Sequence, residues 1–537
     1  MTSLFDATRA FFVRAAIQLL ERFFVPSHLT TTRRAHVRKA EAAPPQLVDD
    51  GAIDRFAPTW ESLKQWEVPR WYHEAKFGIF IHWGVASVPA YKSEWYPKHM
   101  YKRGGEFFDH HVRTYGDHKT FGYKDFIPQF RMENWDPDAW ADVFQASGAR
   151  YVVPVAEHHD GIALYRYSGS RWTSLDVGPE RDLIGDLARA VRRTPMKFGV
   201  SSHRAYNWRF FTYDDAFDTT LPEYSDLYAR PHDPEEPADE PFLRDWLQRC
   251  VELVDGYEPD LVWFDWCIGW PEFEPYRRRF AAHYYNAADR WGKEVVVNYK
   301  EEDFAPGTGV WDIERGQLDE IRPQFWQTDT SISRNGWAYN TDPDNKSAGS
   351  LIHDLVDIVS KNGCLLLNIG PTPDGRITDE QTRVLRDIGR WLSVNGDAIY
   401  GTKPWRVFGE GPTRVKAGTF QEKANVGFTP DDVRYTARGN RIYATLLGVP
   451  GGRDVLLRAL GSHVRLLLGE IKDVSVLGGK ASLNWRRKPE GCHVELPADL
   501  SAEHAVVLKI DTIPAERPKR TADAAGSHTA DIDSADD

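Results

Sequence analysis

From a Pro-containing stretch (AAPPQLVDD, 42–50) to about Tyr400, short apolar runs alternate with longer amphipathic segments. The runs are KFGIFIH (76–82), RYVVPVAEH (150–158), MKFGVSSH (196–203), DLVWFD (260–265), EVVVNY (294–299) and GCLLLNIG (363–370). Val, Ile and Phe dominate them with little polar alternation, the pattern of parallel strands buried on both faces. Between them lie DPDAWADVFQASGA, RDLIGDLARAVRR, FLRDWLQRCVELVDG, LIHDLVDIVSKNG and DEQTRVLRDIGRWLSVNG. Asp-Pro openings and Gly closures mark such segments as helices. Strand–helix alternation predicts an α/β fold: a (β/α)8-like parallel barrel, with a doubly wound sheet as the alternative. From about Trp405 the runs shorten: RIYATLLG, DVLLRAL, HVRLLLGE, DVSVLG, ASLNWRRK, GCHVELP and AVVLKID, separated by Gly and Pro turns. That is the signature of an antiparallel β-sandwich.

The expected organisation is an N-terminal extension and linker (1–55), a barrel catalytic domain (56–402), a sandwich domain (403–513) and a disordered tail (514–537) without apolar periodicity. The first 24 residues have helical periodicity, but Arg9, Arg14, Glu21 and Arg22 interrupt it. A secretory leader needs about 7–15 unbroken apolar residues, and a transmembrane span about 20. Neither is readable, so no transmembrane span is expected.

Composition narrows the function classes. With 537 residues, two folded domains plus tails are the natural division, and 27% charged against 41% hydrophobic residues is the balance of a globular protein. A net charge of −12 argues against nucleic acid as a partner, since a polyanion needs a basic footprint. The chain has 20 Trp, whose flat apolar faces suit sugar rings as well as a core. Its four cysteines, Cys250, Cys267, Cys364 and Cys492, are far apart and lack metal-ligand spacing, so neither a disulfide framework nor a zinc ribbon is expected.

In a parallel barrel, functional residues gather where strands end at the carboxyl face. The residues closing the apolar runs are His82 and Trp83; Glu157, His158, His159 and Asp160; Ser202, His203 and Arg204; Asp265; Asn298, Tyr299 and Lys300; and Asn368. Asp265 stands out, following four apolar residues and preceding Trp266. It could equally cap the next helix. A glycosidase needs a second carboxyl group, and the candidates are Glu301, Glu302, Asp303, Asp312 and Glu314, with Glu314 preferred and Asp312 its rival. A neighbouring Arg315 should lower the pKa of Glu314, whereas an acid needs it raised. Adjacent strand residues point to opposite faces, so His158 and His159 should not share one metal ion. No HxH, HExxH or GxSxG occurs. Neither a metal nor any other cofactor is therefore expected.

KFGIFIHWGVASVPAYKSEWY (76–96), AEHHDGIALY (156–165), PDLVWFD (259–265), WQTDTSISRNGWAY (326–339) and VSKNGCLLLNIGPTPDGRI (359–377) resemble, in order, the motifs of glycoside hydrolase family 29, the retaining α-L-fucosidases. The resemblance spans residues 57–400 and implies an exo-acting enzyme that releases terminal fucose from fucosylated oligosaccharides or glycoconjugates. It implies Asp265 as nucleophile and Glu314 as acid/base, with His82, Glu94, Trp95, His158 and His159 holding the sugar and Trp326 as an aromatic wall. Some relatives carry a tyrosine pair after the third strand; this chain has Ser201, Ser202 and His203, so His203 is expected to take over that contact. The resemblance also implies an extracytoplasmic location. Two alternatives stand beside it: a catalytically silent fucose-binding protein, disfavoured by the presence of both carboxylates, and a metal-dependent hydrolase using the histidines.

Overall fold

The computed structural model describes residues 54–479 and 481–514. Residues 1–53 of the expected N-terminal extension and linker, and the tail after 514, lie outside the described residues. Eight parallel strands close into a barrel in sequence order: β1 (Phe77–Ile81), β2 (Tyr151–Glu157), β3 (Lys197–Ser202), β4 (Leu261–Phe264), β5 (Val296–Lys300), β6 (Val310–Glu314), β7 (Trp326–Ser331) and β8 (Gly363–Ile369), with β8 pairing back onto β1. Every residue of β1, β2, β4, β5, β7 and β8 is buried, which is why most of them read as apolar runs. The barrel, rather than the doubly wound sheet, is the fold.

Strands β6 and β7 break the apolar rule. VWDIE and WQTDTS carry Asp312, Gln327, Thr328, Asp329, Thr330 and Ser331 into the interior, all buried. No helix separates β5, β6 and β7; turns and loops at 301–309 and 315–325 connect them. This departure from strict strand–helix alternation lies on the side of the barrel that carries Glu314.

Elsewhere the expected helices form: α1 (Pro137–Ala146), α2 (Leu183–Arg192), α3 (Glu240–Tyr257), α4 (Glu274–Trp291), α5 (Ala348–Ser360) and α6 (Asp379–Asn395). The side chains of Asp136, Asp182, Asp239, Ser347 and Thr378 accept the free N–H groups of α1, α2, α3, α5 and α6. Gly292, at φ 65°, closes α4 in the left-handed region. Among the described residues no helix is long and apolar enough to cross a membrane. The four cysteines are buried and free.

The C-terminal strands form two antiparallel sheets. β9 (Lys403–Glu410), β10 (Val433–Arg438), β11 (Arg441–Leu446), β13 (Glu470–Val476) and β16 (Val506–Ile513) make one sheet, and β12 (Asp454–Leu457), β14 (Asn484–Lys488) and β15 (Gly491–Glu495) the other. HVRLLLGE, read as a strand, is turn and loop until β13 begins at Glu470. The sandwich packs on α5 and α6: Arg434 Nε donates to Asp357 Oδ1 at 2.6 Å, and Trp391 Nε1 donates to the Ala505 carbonyl.

Candidate active site

Asp265 directly follows β4 and is 8% exposed. The capping reading of its position holds. Oδ1 accepts the Trp266 N–H at 2.8 Å and so caps the 3-10 turn Trp266–Gly269. Oδ2 faces two rings, His203 Nδ1 at 3.1 Å and His159 Nε2 at 3.3 Å. Burial pushes the carboxyl upward, but the bonds from His159 and His203 outweigh it and hold Asp265 well below the usual range. The nucleophile candidate is therefore ionised across ordinary working pH.

The two histidines come from different strand ends. His203 follows β3, and its Nε2 lies 3.1 Å from Ser201 Oγ, so Nδ1 carries the proton given to Asp265 and Nε2 accepts from the hydroxyl. His159 has acceptors at both nitrogens, the His203 carbonyl at Nδ1 (2.9 Å) and Asp265 at Nε2, and can donate to both only when doubly protonated. The structure thus gives His203 and His159 one shared task, fixing the Asp265 carboxylate.

His82 follows β1. Its Nδ1 lies 2.7 Å from Asn368 Oδ1, leaving Nε2 as the free acceptor. Burial first, and then the nearby His203, lower its pKa well below the ordinary value, so the ring is neutral. His158 packs 4.9 Å from the His203 ring and 5.7 Å from His82 and is neutral for the same first reason, burial. Glu94, from the long β1–β2 excursion, accepts the Trp337 N–H at 2.8 Å. Trp95 packs 5.7 Å from His159 and 6.0 Å from Phe210. Histidines, a carboxylate and indoles thus line one mouth.

Trp326 is not among them. It opens β7 at the opposite end of the barrel, fully buried, with Nε1 donating to the Lys361 carbonyl at 2.9 Å. The tryptophan of this motif that reaches the mouth is Trp337, beyond the end of β7. Its ring lies 5.1 Å from His82 and under the Arg315 guanidinium at 4.4 Å. Trp337 lies six residues past the end of the strand that Trp326 begins, within the same sequence motif.

Glu314 ends β6, its side chain 14% exposed. Its carboxyl is pushed up to about 7, by burial first; Lys300 opposes the shift and the charge of Asp265 adds to it. Arg315 lowers it, as expected, but does not reverse the shift; its guanidinium donates to Glu422 Oε1 at 2.8 Å and to the Ser333 and Gly336 carbonyls at 3.2 Å. Asp312, the rival, lies two residues earlier on the same face of β6 and one layer deeper. It is held by Lys300 Nζ at 2.6 Å and Gln327 Nε2 at 2.5 Å. Glu301 and Glu302 are exposed on the turn after β5, and Asp303 is buried there.

Lys300 therefore lies beneath the site, bonded to Asp312 and Asp329 at 2.6 Å each and 3.8 Å from Glu314. Removing one partner of a buried ionic group leaves uncompensated charge. Lys300→Met is expected to lower the unfolding free energy by about 3–5 kcal/mol, read from the urea midpoint at unchanged slope. A loss under about 1 kcal/mol, the value of an exposed pair, contradicts this role.

Among the described residues, two trios could hold a metal ion: His82, His158 and His203, and His159, His203 and Asp265, each with ligand atoms within 4.8 Å of one another. The two neighbours His158 and His159 fall in different trios. A metal on the second would take the two ring nitrogens that now face Asp265.

The sequence matches the family model described as Alpha-L-fucosidase over residues 46–397 and that described as Alpha-L-fucosidase C-terminal domain over 427–511. It is 32% identical to tissue alpha-L-fucosidase of Homo sapiens over 480 residues, covering 85% of this chain and 92% of that one. Among solved structures, the alpha-fucosidase of Thermotoga maritima superposes with a TM-score of 0.70 at 32% identity, over 85% of this chain and all of that one. The same Thermotoga maritima enzyme in complex with a mechanism-based inhibitor superposes equally well, with a TM-score of 0.70 at 32% identity over 85% of this chain and 100% of that chain.

Proposed function

Because the chain belongs to the alpha-L-fucosidase family, we propose that it hydrolyses terminal α-L-fucosides with retention, Asp265 acting as nucleophile and Glu314 as acid/base. The observation that carries this is a pair of strand-end carboxyl groups driven in opposite directions, Asp265 well below the ordinary range and Glu314 up to about 7. Such a pair supports the roles of nucleophile and acid on physical grounds. That a related enzyme was solved with a mechanism-based inhibitor fits a covalent route.

In the first step an Asp265 oxygen bonds to the anomeric carbon while the bond to the leaving oxygen breaks and takes the Glu314 proton. The Glu314 carboxylate then takes a proton from water, whose oxygen attacks the anomeric carbon and frees Asp265. His82, with its free Nε2, and Glu94, His158 and Trp95 face the fucose; His159 and His203 orient the carboxylate and offer it their edges. Trp337 takes the wall role first given to Trp326. Proton NMR of the first sugar released tests retention: α-L-fucose supports it, and β-L-fucose would remove Asp265 from the covalent role. The metal reading predicts loss of activity in EDTA, and the glycosidase reading predicts none.

The pH dependence follows from Glu314. The active form is the protonated acid, and a raised folded-state pKa means that form is lost as pH rises through it. With its carboxyl at about 7, kcat/KM for a fucosyl disaccharide is expected to fall tenfold per pH unit above about 7. Below that limb the profile should stay flat well under neutrality, since Asp265 remains ionised. A limb at about 4–5, where unperturbed carboxyls titrate, contradicts the assignment.

A further inference from the structure

The segment joining β9 to β10 belongs by sequence to the sandwich, yet it returns to the barrel mouth. Gly418 N–H donates to the Gln317 carbonyl (3.0 Å), Phe420 N–H to the Glu314 carbonyl (2.8 Å) and Glu422 N–H to the Arg315 carbonyl (3.0 Å). The approach is so close that a Cβ on Gly316 would run into the Gly418 carbonyl. Glu422 locks it: Oε1 takes Arg315 Nη1 at 2.8 Å, and Oε2 takes Lys346 Nζ at 2.7 Å and Thr330 Oγ1 at 2.6 Å. Burial alone would raise this carboxyl, but Lys346 and Arg315 hold it at about 2, so the lock stays ionised. The segment is built into the site and is not a free loop.

Its tip carries Phe420, a residue 55% exposed with φ at 58°, in the left-handed region that bulky residues rarely occupy. A strained backbone that exposes a large aromatic, one hydrogen bond from the main chain of Glu314, has no folding rationale of its own. Glu314 delivers its proton to the leaving oxygen, so whatever borders Glu314 on the outside borders the leaving group. We infer that Phe420 is a specificity residue: the sandwich domain supplies it as a platform for the apolar face of the pyranose ring to which fucose is attached. An aromatic face suits a ring with one apolar side, and the anchored loop presents it at little cost in ordering. The inference rests on Glu314 being the leaving-group acid.

The test compares wild type, Phe420→Ala and Phe420→Tyr on α-L-fucosyl fluoride, whose leaving atom is too small to reach the platform. The second substrate is whichever of the (1→2)-galactose, (1→3)- and (1→6)-N-acetylglucosamine fucosyl disaccharides wild type cleaves fastest. Phe420→Ala is expected to raise KM for the disaccharide about tenfold, with kcat and the alkaline pH limb unmoved, fucosyl fluoride unchanged within about twofold, and Phe420→Tyr restoring wild-type values. An equal change on both substrates, no change on either, or a loss in kcat with a shifted limb overturns the inference, the last because it would mean a disturbed Glu314. If wild type cleaves nothing, the reading above fails by itself. The platform is then decided by disaccharide affinity in Asp265→Asn with and without Phe420→Ala: a tenfold weakening with free-fucose affinity intact supports it, and equal affinities overturn it.

Discussion

Asp265→Asn is expected to lower kcat/KM for 4-nitrophenyl α-L-fucoside by about 10⁴-fold or more, roughly 5 kcal/mol of transition-state stabilisation. An amide is nearly isosteric with the carboxylate but cannot form the glycosyl ester, so the loss is chemical rather than steric. The surroundings make the substitution clean. Oδ1 of the side chain can still accept the Trp266 N–H, and only the contact with His159 and His203 changes character. The melting temperature and free-fucose affinity should therefore remain near wild type. Azide should restore part of the rate in Asp265→Ala by entering the vacated space, and the product should be β-L-fucosyl azide, which marks the face of attack. A loss below about tenfold, or less than about 1.4 kcal/mol, would remove Asp265 from the covalent step.

How much of this was legible in the sequence depends on what each segment buries. Strands β2 and β8 announce themselves because YVVPVAE and GCLLLNI bury apolar side chains on both faces. β6 and β7 bury a polar cluster instead, with Lys300, Asp312, Gln327 and Asp329 satisfying one another, and hydrophobic pattern alone cannot find them. Their residues surfaced only as candidates and motifs, never as strands. The same blindness explains Trp326. Within WQTDTSISRNGWAY the choice between two tryptophans depends on where β7 starts and stops, and without the strand the sequence points to the wrong end of the barrel.

The histidines were legible as strand-end residues, but their division of labour was not. His159 and His203 are 44 residues apart in sequence and meet at one carboxylate oxygen, a convergence set by the curvature of the closed barrel. Arg315 shows a right direction with the wrong weight: it does lower the Glu314 carboxyl, but burial prevails. Sequence adjacency suggested a cation beside Glu314, while left-handed backbone at Arg315 (φ 44°) and the Glu422 anchor turn the guanidinium elsewhere. The partner that decides the Arg315 direction is 107 residues away, on a loop of the other domain.

Glu314→Gln is the sharper test of mechanism, because its effect should depend on what leaves. General acid catalysis contributes on the order of 10²–10⁴-fold where the departing oxygen needs a proton. Fucosyl disaccharides should lose kcat/KM by that factor, whereas 2,4-dinitrophenyl α-L-fucoside, whose phenolate departs unaided, should retain it within about tenfold. The second step also uses Glu314, as base, so kcat on the aryl substrate should still fall, and a burst of phenol should appear as fucosyl-enzyme accumulates. The alkaline limb at about 7 should vanish from the disaccharide profile with the group that causes it. Equal losses of kcat/KM on both substrates, or a limb that survives the substitution, would place the acid elsewhere. Asp312 is a poor substitute, since both of its oxygens are committed, to Lys300 and to Gln327. A surviving limb would point to a group on the exposed turn after β5, with Glu302 the first to replace.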